Sequence, residues 1–143
     1  MRLSKNFTLE EMYQSDTAYK CKIHNYPTTE AIKNLGYLTQ NFLQPLRDML
    51  DKAIYISSGY RSELLNRKVG GANNSQHKYG QAVDIQVVGM SPMQLFLFIK
   101  DSGLEYDQLI LEKTKSAEWV HVSYSKHNRH QALRYIDGVY TLC

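Results

Sequence analysis

The chain has 143 residues, 43% of them hydrophobic and 22% charged, with 17 Lys and Arg against 14 Asp and Glu for a net charge of +3. That length suits one domain burying roughly two-thirds of its unfolded surface, and the composition is that of a folded protein rather than a disordered one. So small a charge, with no basic stripe interleaved by aromatics, excludes nucleic-acid binding from the expected functions.

Cys21 and Cys143 are the only cysteines and do not make a disulfide framework. The N-terminal stretch MRLSKNFTLEEMYQSD has no continuous apolar core of a signal peptide, and no later run approaches the roughly 18 residues needed to span a bilayer. A soluble monomer, cytoplasmic as synthesised and without a membrane span, is the expectation.

In chain order, Thr8 and Glu11 have the spacing of a capping box and predict a short helix from Leu9, followed by a loop over 15–27. Thr28 or Thr29 caps a longer helix carrying Ala31, Ile32, Leu35, Leu38, Phe42, Leu46 and Leu50. Pro45 predicts either a kink in it or two helices meeting near Asn41 to Gln44, because proline removes one helical hydrogen bond. Ala53 to Ser57 reads as a strand, Ser62 as the cap of a helix over 63–69, and Gly70 and Gly71 as its end. Ala82 to Val88 is the next strand, with Asp84 on the face opposite Val83 and Ile85. Ser91 and Pro92 start a helix, and runs 107–112, 118–124 and 131–137 complete an antiparallel set. The expected fold class is α+β: a small antiparallel sheet with helices packed mainly on one face, in a single domain over 1–143 whose motif-bearing core is about 53–137.

His77 and Asp84 flank a turn containing Gly80 and Ala82, so an imidazole and a carboxylate can converge. Zinc takes nitrogen at about 2.0–2.1 Å and carboxylate oxygen at about 2.0–2.2 Å, usually from three protein ligands in a catalytic site. His121, in the alternating run Trp119 to Tyr124, supplies a third. Glu118, three residues before it, is a carboxylate that can take a proton from a metal-activated water. Other pairs are weaker. Cys21 with His24 is followed by no second pair of zinc-finger spacing, and His127 with His130 has no third ligand of comparable context, so the latter two are expected to be solvent-exposed or to tune the cleft rim. A cluster of Lys126, His127, Arg129, His130 and Arg134 reads as a solvated polar face or as a contact for an anionic polymer such as a bacterial wall.

Three stretches, SSGYRS at 57–62, SQHKYGQAVDI at 75–85 and EWVHVS at 118–123, resemble the zinc D-Ala-D-Ala metallopeptidases, which include D,D-carboxypeptidases, D,D-dipeptidases and phage wall endopeptidases. The resemblance implies a Hedgehog/D,D-peptidase-like fold. It also implies one zinc per chain on His77, Asp84 and His121, with Glu118 as general base and Arg61 as oxyanion partner. Ser75, Trp119 and Tyr60 would line the substrate site. The implied activity is hydrolysis of D-amino-acid-containing peptide bonds of peptidoglycan, by carboxypeptidase or endopeptidase action. The alternative is a non-catalytic zinc-stabilised wall-binding or structural module.

Overall fold

Local signals start each helix where the chain places a hydroxyl in front of an apolar run. The computed structural model describes residues 1–142, and Cys143 lies outside the described residues. In helix α1 (Leu9–Tyr13) the Thr8 hydroxyl accepts from the Glu11 amide while the Glu11 carboxylate accepts from the Thr8 amide, which closes the expected capping box. Residues 15–27 are not all loop. Ser15 caps a second short helix, α2 (Asp16–Lys20), a local turn that apolar periodicity cannot reveal because Ala18 is its one buried residue.

Helix α3 (Thr29–Leu38) passes without a break into a π-helical turn (Thr39–Leu43) and then α4 (Gln44–Leu50). The wider turn lies immediately before Pro45, where the chain has to accommodate a residue with no amide hydrogen. Ser62 caps α5 (Glu63–Lys68), and Ser91 and Gln94 form a second capping box at the start of α6 (Pro92–Asp101).

Six strands form one sheet in the order β1-β2-β4-β3-β5-β6: β1 (Ile54–Ser58), β2 (Ala82–Val87), β3 (Gln108–Lys113), β4 (Glu118–Ser123), β5 (Gln131–Ile136) and β6 (Val139–Leu142). All pairings are antiparallel except β3 with β5, which is parallel. The expected wholly antiparallel set is corrected there. β5 follows a long connection from β4 rather than a tight turn, so it can enter on the far side of β3 and run the same way.

Alternation sorts the sheet into two faces. Val83, Ile85 and Val87 of β2, Leu109 and Leu111 of β3, and Val120 and Val122 of β4 share one core with Leu35 and Leu38 of α3 and Leu95, Phe96 and Ile99 of α6. Leu9 and Met12 of α1 belong to it as well, so the N-terminal helices and the motif-bearing strands are buried together. The opposite face carries Asp84, Ile110, Glu112, Trp119 and His121. Among the described residues, no helix is long and apolar enough to cross a membrane.

Candidate metal centre

The cross-strand register decides which side chains meet on that second face. Asp84 on β2 pairs with His121 on β4, which in turn pairs with Ile110 on β3. The third group arrives from outside the sheet. Ser75 caps a short 3-10 turn (Gln76–Tyr79), its hydroxyl accepting from the His77 amide at 3.3 Å, and the turn ends at Gly80 with φ +71. A side chain at Gly80 would meet both the left-handed backbone penalty and the Ala31 carbonyl of α3, 2.4 Å from where its Cβ would lie. The turn can therefore lie flat against α3 and aim His77 at the sheet.

The donor atoms of His77, Asp84 and His121 all lie within 4.8 Å of one another. Asp84 Oδ1 is 3.4 Å from His77 Nε2 and 3.0 Å from His121 Nδ1. His77 donates its other ring hydrogen, on Nδ1, to the Gly59 carbonyl at 2.7 Å, which leaves Nε2 with a lone pair facing the cluster. Burial depresses the pKa of His77 despite the adjacent Asp84 carboxylate, so the ring is held in the neutral form that a metal requires. Burial works against ionisation of Asp84 too, but its interactions with the His77 and His121 imidazoles outweigh it and hold the carboxyl well below its usual range. Two imidazole nitrogens and one ionised oxygen, oriented before any metal arrives, fit a three-ligand zinc site.

Arg61 stands beside this cluster at the end of the β1–α5 connection. Its Nη2 is 3.6 Å from Asp84 Oδ2, Nε donates to Ser58 Oγ at 3.2 Å, and Nη1 donates to Asn66 Oδ1 at 3.3 Å. Asn66 is buried and its amide nitrogen donates to the Ala72 carbonyl, so Arg61 is braced by a side chain that is itself fixed. A cavity of about 440 Å³ borders Arg61, Ser58 and Gly59 and runs toward Ser15 and Asp16 of the N-terminal helices.

A family model described as Peptidase M15 matches residues 5–123. The chain belongs to the peptidase M15 family. Over 44 residues it is 48% identical to a zinc D-Ala-D-Ala carboxypeptidase of Streptomyces albus G, a stretch that is 30% of this chain and 17% of that protein. The His-Asp-His group is the candidate site for a metal in this member of the family.

The expected site residues of this M15 family member do not all converge. His77, Asp84, His121 and Arg61 come together, and Ser75 sits at the turn that carries His77. Tyr60, expected to line the substrate site, borders the same cavity as Arg61 but is largely buried. It is a core residue, 6% exposed, whose amide is tied to the Met12 carbonyl. Glu118 lies elsewhere. In a strand, residues three apart point to opposite faces, so Glu118 shares the side of Val120 and Val122 and lines a cavity with Val87, Pro92 and Leu95 at the start of α6.

Another carboxylate occupies the face where Glu118 was expected. Glu112 on β3 is the register partner of Trp119, and Trp119 Nε1 donates to its Oε2 at 2.8 Å. Burial raises its pKa, and repulsion from Asp84 adds to the shift, against the attraction of His121 and Arg61. Its signal in the sequence is a lone acid ending the apolar run Leu109 to Leu111, followed by a four-residue turn that folds it back beside the histidine strand. His127 is exposed and His130 stacks on Tyr106 with ring centroids 4.4 Å apart, so neither joins the cluster.

Proposed function

We propose that this chain is a single-domain zinc peptidase that hydrolyses D-amino-acid-containing peptide bonds of peptidoglycan stem peptides, with His77, Asp84 and His121 holding one zinc and Glu112 moving the protons. The observation that carries the proton-transfer assignment is the placement of Glu112 on the same sheet face as His121, within the field of Arg61 and braced by Trp119. Zinc, when bound, supplies a Lewis acid that acidifies a water and polarises a peptide carbonyl.

The remaining steps belong to the protein's own groups. Glu112, with its raised pKa, accepts the proton of the attacking water and returns it to the leaving amine, the task for which a glutamate shifted toward neutrality is suited. Trp119, expected to line the substrate site, takes the role of holding Glu112 in one orientation. Arg61 is charged and positioned by Ser58 and Asn66 before substrate binds, so it can stabilise negative charge on the carbonyl oxygen without rearranging. The peptide lies along the cavity bordering Arg61, and Ser75, which caps the turn that carries His77, is a further contact for it.

The substrate class is supported by the three motif stretches and by the likeness to the Streptomyces carboxypeptidase. Mass spectrometry of purified peptidoglycan fragments after incubation with zinc-loaded protein tests it. Release of terminal D-alanine identifies a carboxypeptidase, and new internal termini identify an endopeptidase. A protein that retains zinc and cuts no stem peptide or muropeptide is a binding or structural module instead.

A further inference from the structure

Asp107 immediately precedes β3 and plays no part in the chemistry above, yet it is 3% exposed and ionisable. Its two carboxylate oxygens accept four hydrogen bonds: from Gln76 Nε2 at 2.9 Å and from the Arg129 amide, Nε and Nη2 at 2.9, 2.8 and 3.0 Å. Its backbone is equally committed, the amide donating to the Ser123 carbonyl at 2.8 Å and the carbonyl accepting from the Gln131 amide at 3.0 Å.

These bonds join the segments that carry the two histidines. Gln76 is the residue before His77 in the 3-10 turn, and Ser123 is two residues beyond His121 at the end of β4. The turn is otherwise outside the sheet and has to be placed to within tenths of an ångström for its imidazole to share a metal with a strand. A buried carboxylate is a strong and directional acceptor, and the Gln76 amide is the bond by which it reaches the turn, beside those from the Arg61 amide to the His77 carbonyl and from Asn34 Nδ2 to the Tyr79 carbonyl.

We infer that Asp107 is a positioning residue for the metal centre, acting through the Gln76 side chain to hold the His77 turn in register with His121. The inference rests on the reading of His77, Asp84 and His121 as ligands. Arg129 has a different role in the same cluster. Its side chain is 57% exposed, and its bonds to Asp107 secure the β4–β5 connection rather than the turn.

Zinc affinity of the 143-residue chain, measured by competition with a chromophoric chelator, separates these roles. Asp107→Asn and Gln76→Leu should each weaken zinc binding about 10–100-fold, the range for partners that orient metal ligands. Arg129→Ala should lower thermal stability and leave zinc affinity near that of the parent. In Asp107→Asn the charged acceptor is lost, and the Gln76 amide meets the new amide only by turning its oxygen toward it, in a weaker neutral bond. The double variant Asp107→Asn with Gln76→Glu restores a charge-assisted bond between the two side chains and should recover part of the lost affinity, which a merely structural role would not produce. Circular dichroism confirms that each variant is folded. Parent-like zinc affinity in folded Asp107→Asn and Gln76→Leu, or an equal loss in Arg129→Ala, overturns the inference while leaving the metal site standing. A parent protein that binds no zinc removes the metal site and this role together.

Discussion

Trp119 donates its indole hydrogen to Glu112 at 2.8 Å, across neighbouring strands and on the face that holds His121. The bond ties a carboxylate on the face of the metal cluster to an aromatic two residues before the ligand His121 in β4, its immediate neighbour on that face.

Because Glu112 and Glu118 stand on opposite faces of the sheet, their amides should behave differently. Glu112→Gln keeps an acceptor for Trp119 and loses the base, and should lower kcat by about two to four orders of magnitude while zinc content is unchanged. Glu118→Gln should retain nearly full activity. Parallel kinetics with metal analysis check both, and an inactive, zinc-loaded Glu118→Gln would return the role to that residue.

The same carboxylate should weaken the metal-free fold. The pKa of Glu112 is raised in the native state by burial, so between its unfolded value of about 4.3 and its folded value the native state binds more protons than the unfolded one. Stability from this group therefore falls as pH rises through that window, and the deficit is present at neutral pH. Metal-free Glu112→Gln should melt at a higher temperature than the parent at pH 7, with the difference vanishing below about pH 4 where both states are protonated. Thermal scans of the two proteins at both pH values show the sign directly.

Removing a ligand should be felt at the metal and not at the surface histidine. His77→Ala, Asp84→Ala and His121→Ala should each lose most bound zinc after dialysis, and His127→Ala, exposed and remote from the cluster, should lose none. Atomic absorption on the four purified variants decides it. Undiminished zinc in His121→Ala would remove β4 from the site.

Two glycines should respond in opposite directions to the same substitution. A Cβ on Gly59 would lie 2.1 Å from the Met12 carbonyl oxygen, and the Gly59 carbonyl holds His77, so Gly59→Ala should cost roughly 1–3 kcal/mol and also weaken zinc binding. Gly36 lies inside α3 with nothing within 4 Å of a built Cβ, so Gly36→Ala should stabilise by roughly 0.5–1 kcal/mol. Urea unfolding of the two variants measures both.

Much of this protein is legible from residue types and short spacings. Thr8, Ser62 and Ser91 cap helices by bonds that reach only three residues along the chain. His77, Asp84 and His121 are chemically suited to one metal, and β2 separates Asp84 from its apolar neighbours by alternation alone. Alternation also argues against Glu118, since a strand that presents His121 turns a residue three positions away to the other side. Only the tertiary structure decides that Glu112 takes that place, that β5 runs parallel to β3, and that Asp107 reaches the His77 turn. The physical reason is common to all three: each depends on cross-strand register or on contacts between residues 7 to 31 positions apart. Those contacts are chosen by how the whole sheet buries its apolar face, and no local preference encodes them.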